Sequence, residues 1–283
     1  MSAALDHRVR LADLRRLKAE GRKFAMLTAY DHPTAAAAQA AGVPVLLVGD
    51  SLGCVLLGHE NTRGVPLELI LTLTEAVRRG APNAFLVGDM PYQAMNGGGA
   101  RAMAAALRFR DEAGCDAVKF EAQRADAALV REMTRAGVPV VAHLGLRPQT
   151  IDSPDGYRAQ ARAPEEIEAL ADDARLLAAA GAVMLLLEAV PNEASRAVLS
   201  AVDLPVIGCG AGPACDGHVV VTHDMLGLST IRPPRFVPVL ADLGQRMIAS
   251  MREYVAAIES GRYPAPQHVY GMRKQPADAS TKS

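Results

Sequence analysis

Eight short apolar segments recur along the chain, and helical patterns separate most of them. They are Phe24–Ala29, Val45–Val48, Phe85–Val87, Ala117–Phe120, Val138–Ala142, Val183–Leu187, Val206–Ile207 and Val219–Val221. Short apolar runs bounded by glycine and proline read as buried strands. The stretches between them predict helices over 33–41, 65–80, 100–113, 125–136, 164–180 and 193–201. Pro33 and Pro164 suit helix starts, and Gly42, Gly80, Gly114, Gly137 and Gly181 suit helix ends. Strands alternating with helices pair in parallel. Eight such units within 283 residues predict an α/β fold, a closed (β/α)8 TIM barrel. An open doubly wound sheet is the runner-up. It lacks support because the first turn, Thr28-Ala29-Tyr30-Asp31-His32-Pro33, has no glycine-rich phosphate loop. Leu11, Leu14 and Leu17 predict an N-terminal covering helix, and a helical tail follows about Pro233. Residues 1–265 read as one barrel domain, and 266–283 as a polar tail disordered in part.

Charge and composition exclude several function classes. The net charge is −1 and no basic stripe stands out, which argues against nucleic-acid binding. No apolar run approaches the roughly 20 residues of a membrane span. The N-terminal twenty residues are charged throughout, unlike a signal peptide. Cys54, Cys115, Cys209 and Cys215 lack metal-finger spacing and sit in or beside apolar segments. They read as free thiols of a reducing compartment, hence a cytoplasmic protein.

Successive strands end in Asp50, Asp89, Glu121, His143 and Glu188. Strand C-termini of a barrel converge on one face, where catalytic groups sit. Carboxylates crowded there repel unless a cation or proton is shared, and oxygen ligands without a Cys or His pair favour Mg2+ over Zn2+. Lys119 shares a face with Glu121 and could hold a substrate carboxylate or oxyanion. Glu188 follows three leucines, and the desolvation expected there suits a general base. Blander readings stand beside these. An Asp after a strand also reads as a helix cap, as do Ser51 and Thr28. His143 also reads as a buried histidine bonded to backbone. Cys209 reads as a small apolar residue beside Gly208-x-Gly210-x-Gly212, a turn whose glycines would let backbone N–H groups approach an anion. His223 and Asp224 are either loop caps or pocket lining.

Taken together, these residues resemble the ketopantoate hydroxymethyltransferase family of the phosphoenolpyruvate/pyruvate barrel superfamily. The likeness runs through Leu27-Thr28-Ala29-Tyr30-Asp31, Val48-Gly49-Asp50-Ser51-Leu52-Gly53, Gly88-Asp89-Met90-Pro91 and Val118-Lys119-x-Glu121. It continues through His143-Leu144-Gly145-Leu146-x-Pro148-Gln149, Leu187-Glu188-x-Val190-Pro191 and His223-Asp224, covering about residues 10–268. The resemblance implies transfer of a one-carbon unit from 5,10-methylenetetrahydrofolate to 3-methyl-2-oxobutanoate. The product is 2-dehydropantoate, for pantothenate synthesis, and the route is a Mg-stabilised enolate. It implies one Mg2+ per subunit on Asp50, Asp89 and Glu121, and oxo-acid contacts from Asp50, Ser51, Asp89, Lys119 and His143. Glu188 is then the proton acceptor. It also implies a homo-oligomer, a decamer, with no nucleic acid and no membrane. The chain departs from the family pattern at Arg63-Gly64, Ala122-Gln123, Leu73 and the loop 155–161. The alternative within the superfamily is a Mg-dependent carbon–carbon lyase or mutase on another 2-oxo acid. Glu121-Ala122-Gln123-Arg124 has no cysteine-containing loop of that kind, which favours the transferase.

Overall fold

The structure is a computed structural model that describes residues 5–151 and 157–272. Eight parallel strands close on themselves in sequence order. They are β1 (Phe24–Thr28), β2 (Val45–Val48), β3 (Phe85–Asp89), β4 (Ala117–Glu121), β5 (Val140–Gly145), β6 (Met184–Glu188), β7 (Val206–Cys209) and β8 (Gly217–Val220). β8 pairs back onto β1, with Phe24 opposite Gly217. Of the helices, α1 (Leu11–Ala19), α2 (His32–Ala40), α3 (Leu52–Val55), α4 (Leu67–Gly80), α5 (Tyr92–Met95) and α6 (Gly99–Asp111) precede β4. After it come α7 (Ala127–Arg135), α8 (Pro164–Ala180), α9 (Asn192–Ala201), α10 (Thr222–Met225) and α11 (Leu243–Glu259). The closed barrel, the covering helix α1 and the tail helix α11 agree with the fold the pattern predicts. Among the described residues, no helix is long and apolar enough to cross a membrane.

Two apolar cores follow from strand periodicity, because successive side chains point to opposite faces. Met26, Val45, Leu47, Phe85, Val87, Val141, Met184, Leu186, Ile207 and Val219 fill the barrel interior. Leu14 of α1, fully buried, belongs to the same cluster. Leu46, Val48, Leu86, Val118, Phe120, Ala142, Leu185 and Leu187 face outward into the helix layer. Helix signals behave as expected at α2. Asp31 accepts from the Thr34 N–H (2.7 Å), and Gly42 takes φ +78° just past its end.

Some boundaries differ from the expectation. β5 begins two residues later than predicted and runs through His143 to Gly145, so His143 lies within the strand. β3, β4 and β6 each include their terminal acid, which sequence alone placed just beyond the strand. β8 covers Gly217–Val220 rather than 219–221. The short helices α3 and α5 have too few residues for a 3.6-residue period to show. The polar end Lys274–Ser283 lies outside the described residues.

Candidate active site

The interior stack turns polar at its upper end. Counting by two along each strand, Phe85 and Val87 lead to Asp89, and Ala117 leads to Lys119 and Glu121. Val141 leads to His143, Met184 and Leu186 to Glu188, and Ile207 to Cys209. The same alternation that fills the core therefore aims these six side chains into the barrel mouth. They line one cavity of about 720 Å3, joined by Asp50, Ser51, Thr28 and Asp224. The strand ends picked out in the sequence are thus brought together. His223 stands aside, its ring 5.3 Å from that of Tyr30.

A run of contacts crosses four neighbouring strands. Lys119 Nζ lies 2.7 Å from Asp89 Oδ1, an ion pair between residues opposite each other on β3 and β4. Nζ also lies 3.4 Å from His143 Nδ1, and His143 Nε2 lies 3.3 Å from Glu188 Oε2. At these distances the Lys119–Asp89 and His143–Glu188 pairs are electrostatic contacts only: neither Asp89 Oδ1 nor His143 Nε2 makes an aligned hydrogen bond. Asp89 Oδ2 accepts from the Asp50 N–H (3.0 Å). Asp89, Lys119 and His143 are 1 %, 5 % and 2 % exposed, so these charges are screened by little water.

Electrostatics fixes their states. Burial opposes charge on Lys119, but Asp89, Asp50 and Glu121 hold its pKa above the usual lysine value. Burial also raises the pKa of Asp89, with Lys119 opposing and Asp50 adding to the rise. Glu121 is pushed up to about 8, chiefly by burial and further by Asp50 and Asp89. His143 is held below its ordinary value by burial and then by Lys119, so its ring is neutral near pH 7. An ammonium has hydrogens and no lone pair to offer. His143 Nδ1, facing it, therefore carries the lone pair, and the ring proton sits on Nε2 toward Glu188. The Cys209 thiol is raised well above its ordinary value by burial and then by Glu188, so it is a neutral lining group. Glu188 itself is not sealed among leucines. Its side chain is 20 % exposed, so the desolvation expected from its neighbours is incomplete and water or a ligand reaches it.

Gln149 had no place in the sequence reading of the site, although it lies in the matching stretch after His143. Its backbone N–H donates to Glu121 Oε1 (2.7 Å), and its Nε2 donates to Asp50 Oδ2 (2.9 Å) and to the Met90 carbonyl (3.1 Å). A turn residue carries no periodicity, so only the motif could have flagged it. Ser51 meets Tyr30 Oη at 2.8 Å, which makes it a cavity residue and not a helix cap with a bonded side chain. The Gly208-x-Gly210-x-Gly212 turn is packed by side chains. A Cβ on Gly210 would meet Phe236 at 2.6 Å, and one on Gly212 would meet Asn192 at 2.6 Å. The departures from the family pattern fall around the carboxylates and not on them. Arg63 Nη2 donates to the Ile151 carbonyl (2.6 Å), Gln123 Oε1 accepts from Arg147 (3.1 Å), and Ala122 is buried. Asp155 and Gly156 of the departing loop lie outside the described residues.

Among the described residues, no three His, Cys, Asp or Glu side chains are gathered closely enough to form a ready-made metal cage. The donor set nevertheless fits a hard divalent cation. Asp50, Asp89 and Glu121 each give one oxygen to an N–H donor. Glu121 Oε2 is buried with no hydrogen-bond partner. A buried carboxylate oxygen without a partner is costly, and a cation of oxygen preference is one remedy.

The ketopantoate hydroxymethyltransferase family profile matches residues 8–266. The 3-methyl-2-oxobutanoate hydroxymethyltransferase of Geobacillus kaustophilus (strain HTA426) is 41% identical over 263 residues, 93% of this chain and 94% of that protein. The enzyme of the same name from Thermoanaerobacter sp. (strain X514) is 39% identical over 271 residues, 96% of this chain and 99% of that one. In fold, the chain is similar to a phosphonopyruvate hydrolase crystallised with oxalate and Mg2+. The TM-score is 0.60 at 13% identity, over 91% of this chain and 92% of that one.

Proposed function

Because this chain belongs to the ketopantoate hydroxymethyltransferase family and is a hydroxymethyltransferase, we propose that its substrate is 3-methyl-2-oxobutanoate, its donor 5,10-methylenetetrahydrofolate and its product 2-dehydropantoate. The reading is carried by one observation: Glu188 faces the cavity beside a neutral His143, with Lys119 and three carboxylates across the mouth. Glu188, reachable from the cavity, takes the proton from C3 of the oxo acid. His143 Nε2–H holds the carboxylate in place. The negative charge left by proton removal moves onto the 2-oxo oxygen, and the Lys119 ammonium is fixed to receive it. Ser51 offers a further hydroxyl to the oxo acid. Asp50, Asp89 and Glu121 would hold Mg2+, one per subunit, whose chemistry when bound is Lewis-acid polarisation of substrate oxygens. The C3 carbon then attacks the methylene carbon. Atom balance requires one water, which supplies the hydroxyl oxygen as tetrahydrofolate leaves.

The test is exchange of the C3 proton of 3-methyl-2-oxobutanoate in deuterated water with Mg2+ present. The wild type should exchange it, and Glu188→Gln should bind the oxo acid without exchanging it. Normal exchange in that variant would remove Glu188 from the role, and exchange without product once the folate is added would overturn the donor.

We also expect a cytoplasmic homo-oligomer, a decamer as the resemblance implies. No residue of α11 is buried, and Met247, Met251, Tyr254, Val255 and Ile258 are exposed along it. An apolar face of that extent on a monomer is unusual. A monomer by light scattering would overturn this expectation.

A further inference from the structure

Gln149 sits in the single turn Pro148–Thr150 past β5 and is 4 % exposed. Its three N–H groups all point at the barrel mouth, reaching β4 through Glu121, the β2 end through Asp50 and the β3 end through the Met90 carbonyl. Both partners of Nε2 are acceptors, so the amide orientation follows: the reverse would set oxygen against oxygen. The turn itself is pinned. Leu146 N–H donates to the Glu188 carbonyl (2.9 Å), Thr150 Oγ1 donates to the Arg147 carbonyl (2.9 Å), and Ile151 accepts from Arg63. Gly145 makes the approach possible, with φ +91° and space for no Cβ, which would stand 2.4 Å from the Glu188 carbonyl.

We propose that Gln149 is a positioning residue for the candidate cation site, fixing Asp50 and Glu121 from one turn while leaving each an oxygen for a divalent cation. The proposal rests on the reading of Asp50, Asp89 and Glu121 as cation ligands. Neutral donors are the suitable tool for this task. A second cationic side chain in place of Gln149, in addition to the Lys119 ammonium that already pairs with Asp89, would cancel more of the carboxylate charge and repel the cation. An amide and a backbone N–H orient one oxygen of each carboxylate and leave its charge intact. Donors that orient metal ligands are worth about 10- to 100-fold in metal affinity when removed.

The experiment measures Mn2+ binding to the full chain by electron paramagnetic resonance of free against bound ion. Gln149→Met preserves length and volume and removes the two Nε2 bonds. Its Kd for Mn2+ should rise about 10- to 100-fold with an unchanged far-UV spectrum. A folded variant that binds Mn2+ as tightly as the wild type overturns the proposal. A wild type that binds no Mn2+ removes the cation site itself, and the proposal falls with it. Should the variant not fold, amide exchange in the wild type decides the matter. The Gln149 N–H should exchange more slowly once Mg2+ is added, because Glu121 is then held on both oxygens. Unchanged or faster exchange overturns the proposal.

Discussion

The two ends of this barrel use the same residue types for opposite ends. At the N-terminal end, Asp116 accepts from Arg8 (2.8 Å), from Arg78 and from the Leu86 N–H (2.8 Å). Asp216 accepts there from Lys18 (2.9 Å) and from the Val206 N–H (2.9 Å). These acids tie the segment around α1 and the strand starts into place. At the C-terminal end, Lys119 pairs with Asp89, one glutamine turn donates to Asp50 and Glu121, and Glu121 keeps a buried oxygen with no partner. Carboxylates matched by cations and N–H groups hold a fold together. Carboxylates left short of partners make the fold less stable and keep a place for something else. Barrels separate stability and chemistry in this way, at opposite faces.

The contrast can be broken by neutralising one acid at each end. Glu121→Gln keeps an acceptor for the Gln149 N–H and removes a charge. Activity should fall at least about 100-fold, since removing groups that merely orient metal ligands already costs 10- to 100-fold. The same variant without metal should melt no lower than the wild type. Asp116→Asn should do the reverse. Losing the charge that pairs with the partly buried Arg78 and the exposed Arg8 should cost about 2 kcal/mol, below the roughly 3–5 kcal/mol of a fully buried pair. For a chain of this size that is a melting temperature lower by roughly 3–4 °C. Its kcat at 25 °C should stay within about twofold of the wild type. A large loss of kcat in folded Asp116→Asn, or marked destabilisation by Glu121→Gln, would erase the distinction.

How far the sequence disclosed this follows from where each residue sits. Asp89, Glu121 and Glu188 were legible because each stands in phase with a strand whose lower side chains are apolar. Alternation predicts the barrel and also predicts which polar residues its mouth receives. Lys119 was legible on the same ground. Their assembly into one contact run was not, because the Asp89–Lys119–His143–Glu188 order depends on strand neighbours and register, which no local pattern encodes. Gln149 was hidden for a related reason. It acts through one backbone and one side-chain group from an irregular turn, and its three partners lie 28, 99 and 59 positions away in sequence. In the glycine-rich turn after β7 the sequence showed the glycines but not what they leave room for. Its glycines make room for Phe236 and Asn192.

A smaller effect sharpens the contrast through pH. Glu121, ordinarily near 4.5, is raised to about 8 in the folded chain. Between those values the folded protein keeps a proton that the unfolded chain has released. The folded state then binds more protons, so this group lowers stability as pH rises through the window. The melting temperature of the metal-free protein should fall from pH 5.5 to 8.5 more steeply than that of Glu121→Gln, which lacks the titration. Divalent cations compete with the same proton, so Mg2+ should raise the melting temperature more at pH 8.5 than at pH 6. Equal slopes for the two proteins would place the upper carboxylates with the satisfied ones below.

The smallest effect belongs to a member of the upper ring that carries no charge. Cys209 lines the cavity at the end of β7, opposite Glu188 in the register. Burial and then the Glu188 carboxylate raise its pKa well above the ordinary thiol value. A thiol kept protonated is a poor nucleophile, because the thiolate is the reactive form. Position in the ring therefore does not by itself make a residue part of the chemistry. Cys209→Ala should leave kcat/KM within about threefold, the loss coming from a small change in packing. Iodoacetamide at pH 8 should label Cys209 far more slowly in the folded protein than in denatured chains, read by mass spectrometry. Rapid labelling, or a covalent adduct trapped on this sulfur during turnover, would show that the Cys209 thiol takes part in the reaction and is not lining.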